Sequence, residues 1–359
     1  MSAPADVSHA VAPGRMREGA RWQWDAGDHV AALAWGGEGR WLAVAPAEGG
    51  ITLLEPGAGR AGRILPGHPG GNCVLSAAPK ADLILSGGQD GMARLWNTAS
   101  GGLETELPGS DHAGQWCEHA RFSPDGAFFA TATGRTLRVW RTGGGLVFED
   151  AGHESTIAAM AWRPDSRGVA TGCYNGVRLS RVREERWETY QELRWRGSIV
   201  SLAWSPNGRC VAAGSQEATI QFWRLPARPG EELCMSGYAS KVRELSWEPE
   251  SRHLATGGGE CVTVWDVSGK GPRGSTPRQL DGHAARITQL AYQHCGILLA
   301  SGGADGRVFV WDRPGAQRQR LEFQPVCPVA ALAWSPDDTA LAIGNADGRV
   351  ALWETAGIA

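Results

Sequence analysis

A chain of 359 residues, 42% of them apolar, has ample material for a buried core. Its net charge of −3 supplies no long-range field that would select nucleic acid or an anionic membrane, so neither is expected as a partner. Eight cysteines without a CxxC pair argue against both a metal finger and a disulfide-stapled secreted module. The first fourteen residues are small and polar and carry no leader-like apolar run, and no segment is long enough to span a bilayer. The simplest reading is a disordered tail over 1–14, one domain over 15–359, a cytoplasmic and reducing compartment, and a chain that is monomeric by itself.

In chain order, Gly19–Asp25 reads as a strand with no unit of its own. Val30–Trp35, Trp41–Ala45 and Ile51–Glu55 form a first unit that lacks an Asp–Gly turn and a closing tryptophan. From there the pattern recurs. The aromatic residue, or its stand-in, that ends each unit's first strand falls at Trp35, Ala77, Phe122, Trp162, Trp204, Trp247, Tyr292 and Trp334. The steps are 42, 45, 40, 42, 43, 45 and 42 residues, a period that fits propeller blades of four short strands. The unit at Ile287–Trp311 shows the grammar: an alternating strand, a turn at His294–Gly296, a second strand, the Gly302–Gly306 turn, and a β-branched third strand closing on Trp311–Asp312, followed by a more variable fourth strand at Arg320–Phe323.

These residues resemble the WD-repeat β-propeller family, through Gly282–His283, the Ser301–Gly306 turn, and the Trp–Asp pairs at 311–312 and 265–266. The resemblance implies a closed all-β disc. Eight first, second and third strands can be counted, which predicts eight blades, with seven as the alternative. The chain stops after a third strand at Trp353–Glu354, so Gly19–Asp25 is expected to supply the outer strand of the last blade and close the ring.

The resemblance also implies a hydrogen-bonded set inside a blade. His68, Ser86, Asp90 and Trp96 are spaced 18, 4 and 6 apart, and His283, Ser301, Asp305 and Trp311 repeat that spacing. Such sets look like catalytic triads, but their recurrence in two units favours a structural role. Other units depart from it. His153, Thr171 and Asn175 remain in the fourth, while Tyr238 replaces the histidine in the sixth. Those units are expected to lean on apolar packing.

Functional candidates come from comparing equivalent positions. The slot just before the aromatic reads Ala34, Ser76, Arg121, Ala161, Ala203, Ser246, Ala291 and Ala333; the slot two residues earlier reads Ala32, Val74, His119, Ala159, Ser201, Glu244, Gln289 and Ala331. His119, Arg121 and Glu244 break the rule of small residues, with Glu118 and Arg243 adjacent. They are read either as a contact site at the channel mouth or as channel lining that holds water. Trp116, Lys241 and Arg286 stand just before first strands, on the face around the channel, with Arg135 and Tyr174 in turns after second strands. An exposed tryptophan is a typical partner anchor, and Lys241, Arg243 and Arg286 suit an acidic peptide. Cys117 and His119 have a spacing that strands use for metal ligands, yet Cys117 occupies the slot of Val30, Ile157 and Ile199, a core position. The charged and aromatic stretch Arg181–Trp195 reads as an outer strand with its loops.

The expectation is a non-catalytic scaffold that binds a protein or peptide partner on the loop face, without metal or cofactor. The alternative is a propeller that handles a small molecule or a metal, with enzymatic activity at the polar cluster of His119, Arg121 and Glu118.

Overall fold

In a computed structural model, residues 15–109, 114–269, 271–312, 317–321 and 326–356 are described. The expected tail, 1–14, lies outside them, as does Phe323 of an outer strand read as Arg320–Phe323; the observed strand is Gln317–Leu321. The described residues are strands and turns, apart from one 3₁₀ turn at Gly37–Gly39. No helix is long and apolar enough to cross a membrane.

Each unit is an antiparallel meander whose second strand is buried almost throughout and whose outer strand is largely exposed. The first sheet is Val30–Gly36, Trp41–Pro46, Ile51–Glu55 and Arg60–Leu65; the second is Asn72–Ala77, Leu83–Gly88, Ala93–Asn97 and Leu103–Leu107; the third is His119–Phe122, Phe128–Thr133, Thr136–Arg141 and Leu146–Asp150. Leu245–Trp247, His253–Thr256, Val262–Asp266 and Arg278–Leu280 form another. Ile287–Tyr292, Leu298–Gly303, Val308–Asp312 and Gln317–Leu321 form the next.

The expected count of eight blades is corrected here. Counted by hydrogen-bonded sheets, the described residues form seven, one of them six-stranded. The segments read as the fourth and fifth units share that sheet: Ala159–Trp162, Gly168–Arg183, Arg186–Trp204, Cys210–Ser215, Ile220–Arg224 and Leu233–Met235. The cause is local. Elsewhere a loop separates an outer strand from the next inner strand. Arg186–Trp204 instead stays in the ladder throughout, slipping register where Tyr174 faces Ser198 and Gly176 faces Arg194. Asn175 (φ 68°) and Gly176 (φ 137°) absorb the slip as a bulge. The sheet therefore offers two strands to the channel.

The chain's beginning closes the circle. Trp22–Asp25 pairs antiparallel with Arg349–Ala356, as expected, and Arg15–Met16 pairs further along the same strand. Val329–Trp334 and Ala340–Asn345 complete that sheet. Trp22 also donates its indole N–H to the Pro56 carbonyl at 2.6 Å, which ties this sheet to the first.

Neighbouring sheets share their cores. Met16, Val308, Val310, Val329, Ile343 and Trp353 make one cluster, and Val30, Leu42, Val44, Ala342 and Val350 another. The first residue of an inner strand packs on a glycine of the previous sheet. A Cβ on Gly344 would lie 2.6 Å from Val30 Cγ1, and one on Gly302 only 2.5 Å from Val329 Cγ1. Glycine is required at both because the sheets approach this closely.

A second link is polar. The indole N–H of Trp162 donates to the Arg121 carbonyl (2.9 Å), Trp204 to Ala161 (3.2 Å), Trp247 to Ala203 (3.4 Å), Trp334 to Ala291 (3.0 Å) and Trp35 to Ala333 (3.0 Å). Where the aromatic has no indole, the equivalent slot of the previous unit holds serine. Ser76 accepts the Phe122 backbone N–H at 3.0 Å, and Ser246 accepts that of Tyr292 at 2.8 Å. Each device satisfies a polar group that the close approach of the sheets would otherwise strand.

Candidate functional site

The two His/Ser/Asp/Trp sets are internal struts. His68 Nδ1 lies 2.9 Å from Asp90 and Nε2 2.7 Å from the Ser86 hydroxyl, which accepts the Trp96 indole N–H at 2.9 Å. In the second set His283 meets Asp305 at 3.2 Å and Ser301 at 2.9 Å, and Trp311 donates to Ser301 at 2.9 Å. Burial lowers the pKa of both imidazoles. The neutral ring therefore donates from Nδ1 to the carboxylate and accepts the serine proton at Nε2. Both serines are fully buried, and their hydroxyls are committed.

Two other units rebuild the strut where apolar packing alone was expected. Tyr238 puts its hydroxyl 2.9 Å from Thr256 Oγ1 and accepts the Trp265 indole N–H at 2.7 Å. His153 meets Thr171 at 2.7 Å, but its Nδ1 turns to the Arg135 carbonyl at 3.0 Å instead of reaching Asn175. Asn175 donates to Glu154.

The candidates around the channel fall into three groups. His119 and Arg121, on alternate positions of one inner strand, share a cavity of about 430 Å³ with Arg243 and Glu244. Above it, Arg243 and Glu244 also line a second cavity of about 570 Å³ together with Lys241, Arg286 and His29. Tyr174 lies elsewhere, on a cavity of about 570 Å³ with Trp195, Arg178 and Glu192, where the six-stranded sheet slips register. Trp116 and Tyr174 are each 48% exposed. Arg135 is exposed, but its Nε is engaged by the His153 carbonyl at 2.6 Å, so it anchors a loop.

Electrostatics set protonation in the channel. Burial first, and Arg121 second, push His119 down to about 4, leaving it neutral near pH 7. Water reaches the Arg121 guanidinium through the lumen, yet the surrounding protein desolvates it and lowers its pKa. Burial raises the Glu244 pKa, against opposing pulls from backbone N–H groups, Arg243 and Arg286. Cys117 is fully buried in the cluster of Ala120, Phe122 and Phe129, and burial is the main cause that pushes its thiol up to about 12. Among the described residues no cluster of three or more His, Cys, Asp or Glu side chains is placed to hold a metal ion.

Sequence reasoning passed over Ser201, Thr288 and Gln289, which line the same channel cavity. Ser201 Oγ donates to the Val242 carbonyl, just ahead of the next inner strand, while Thr288 donates to Val329 and Gln289 to Ala330 within theirs. The slot comparison had exposed Ser201 and Gln289 without showing that their polar atoms were occupied.

The family model described as "WD domain, G-beta repeat" matches residues 59–97, 105–141, 144–177, 188–224, 231–266, 274–312 and 320–354. The chain belongs to that family. Seven matched repeats agree with seven sheets, and against the expected eight. Each WD repeat is offset by a strand from its sheet: the match at 59–97 begins with Arg60–Leu65, the outer strand of the first sheet.

Among curated proteins, the chain is similar to the "Ribosome biogenesis protein WDR12 homolog" of Chlamydomonas reinhardtii. The two are 25% identical over 67% of this chain and 52% of that protein. It is also similar to the "Probable cytosolic iron-sulfur protein assembly protein Ciao1" of Culex quinquefasciatus, 35% identical over 22% of this chain and 24% of that protein. The chain thus spans about half the length, or less, of these curated relatives. Among solved structures, the computationally designed Ika8 protein superposes with a TM-score of 0.75 at 24% identity, covering 92% of this chain and 97% of that one. That likeness concerns the fold.

Proposed function

We propose that this chain is a non-catalytic interaction scaffold that docks a protein or peptide partner on the loop face around its channel. One observation carries the reading. Lys241, Arg243 and Arg286 converge with Glu244 on a single cavity at the channel mouth, while a half-exposed Trp116 stands on the same class of loop. An exposed aromatic and a concave charged sector, carried on equivalent loops, have the composition of a recognition surface. The names of the relatives, a ribosome biogenesis protein and an iron–sulfur protein assembly protein, point to assembly processes in which scaffolds act. The commitment of each His/Ser/Asp set to an indole supports a role without catalysis. We further propose that the chain works in the cytoplasm, alone until it meets its partner.

Affinity purification from the native host, with crosslinking, tests the assignment. Trp116→Ala and Arg286→Glu should each reduce recovery of whatever co-purifies with the wild type. Unchanged recovery with both variants would remove it.

A further inference from the structure

The channel cavity below that face has an unbalanced set of donors. Ser201 has spent its hydroxyl hydrogen on the Val242 carbonyl, and Gln289 one of its two amide hydrogens on the Ala330 carbonyl. The charged donors still directed at the lumen are the guanidiniums of Arg121 and Arg243, while the neutral His119 ring is engaged by the backbone at Ala158 and Ile157. Among the described residues, neither guanidinium has an ion pair or a side-chain hydrogen bond. Against them stands one carboxylate, Glu244, whose charge is itself opposed by burial.

The fold does not demand this arginine. Alanine or serine occupies the Arg121 slot in each of the other units, and the Arg121 backbone already has its role, accepting the Trp162 indole N–H. A guanidinium that lines a confined lumen without an ion pair gains a charge-assisted bond when an anion enters. Such a partner has to be small enough for about 430 Å³. Arg243 opens on both cavities, so a basic path joins Lys241 and Arg286 at the mouth to Arg121 inside.

We infer that the channel is an oxyanion site, in which a carboxylate or phosphoryl group sits between Arg121 and Arg243. The inference rests on the proposed docking face for one of two sources: the group arrives on an acidic side chain of a docked segment, or as a free small anion. Planar guanidiniums suit either, since both present paired oxygens.

Two titrations test it on the full chain, at constant ionic strength set with chloride. One uses inorganic phosphate and citrate, read by thermal shift. The other uses a fluorescent Asp/Glu-rich decapeptide, read by anisotropy, with a Lys-rich decapeptide as control. The wild type should bind at least one anionic probe. Arg121→Ala, which installs the residue common at that slot, and Arg243→Met should each weaken it by about tenfold or more, the scale of a lost charge-assisted hydrogen bond. Their unperturbed melting temperatures would show that they fold. Binding of phosphate or citrate alone assigns the free source; binding of the acidic peptide alone assigns the docked one. If neither probe binds, or both variants bind as the wild type does, the inference falls. Should Trp116→Ala and Arg286→Glu lose the native partner while Arg121→Ala and Arg243→Met retain it and all anion binding, the scaffold reading stands and only the oxyanion site is lost.

Discussion

Trp35 donates its indole N–H to the carbonyl of Ala333 at 3.0 Å, across 298 positions of sequence. It is one of five equivalent bonds between neighbouring inner strands, and it spans the seam where the ring's first and last inner strands meet. Trp35→Phe removes the donor and part of the buried ring. A net hydrogen bond contributes about 1 kcal/mol, and the trimmed ring adds to that, so a loss of about 1–3 kcal/mol is expected. Urea denaturation followed by tryptophan fluorescence measures it. Trp162→Phe should cost a similar amount, because the bond is the same at a position that does not close the ring. A neutral result for both would show that these bonds contribute nothing to holding neighbouring strands together.

The strut in the sheet of Ile287–Tyr292 offers a coupled test. Ser301 accepts from Trp311 and donates to His283, so removing it leaves two buried partners unmet. Ser301→Ala is expected to cost about 2–4 kcal/mol, more than one bond is worth, because orphaned polar groups carry their full desolvation penalty. In a double-mutant cycle with His283→Ala, the second substitution should cost much less once the first is made. The coupling should be about 0.5–3 kcal/mol, as for residues in one network. Simple additivity would mean that the hydrogen-bonded set does not act as a unit.

The repeating strands were legible because the inner-strand pattern recurs at steps of 40 to 45 residues and many turns carry glycine, often with aspartate. The docking of Trp22–Asp25 on Arg349–Ala356 was legible for a similar reason: the last unit visibly lacked a strand. The fused sheet was not. Arg181–Trp195 carries the charges and aromatics of an outer strand, and only the φ values at Asn175 and Gly176 reveal that the ladder continues through a bulge. At the site, slot comparison picked out Arg121 and His119, since long side chains stand out among alanines. It missed Tyr238 as a strut although its step of 18 residues to Thr256 equals that from His68 to Ser86, because a phenol in place of the imidazole was read as the loss of the set.

The terminal strand should matter more than its length suggests. Trp22–Asp25 covers the outer edge of Arg349–Ala356, and Trp22 bonds to Pro56 of the first sheet. Without it the last sheet presents an unpaired edge, and the half-buried Trp22 and Trp24 no longer cover the cluster around Val350 and Leu352. Removal of residues 1–26 is expected to lower the melting temperature markedly and to produce concentration-dependent association. Calorimetry and light scattering check the two effects. A truncated chain that melts like the full one and stays monodisperse would mean that the seam is closed by inner-strand contacts alone.

Acid should weaken the fold before most carboxylates protonate. Burial is the leading cause that lowers the pKa of His68, His119, His153 and His283, with His119 pushed down to about 4. In the unfolded chain these imidazoles titrate near their ordinary value of about 6.5. As pH falls below that, the unfolded state takes up protons that the folded state refuses. Stability present above about pH 6.5 is therefore lost as pH falls towards the lower folded values. His253 and His294 act in the opposite sense. Their bonds to Glu248 and Asp338 raise their pKa, so their contribution is present below the unfolded value and lost as pH rises through the folded one. Those two are partly exposed, and solvent screening weakens their effect. The four buried rings should dominate, so urea midpoints are expected to fall steadily from about pH 7 to about pH 4.5. His119→Gln removes one titrating group and should flatten that slope by at most about 1.4 kcal/mol per pH unit. A slope unchanged in His119→Gln would mean that the His119 imidazole is protonated as readily in the folded channel as in water.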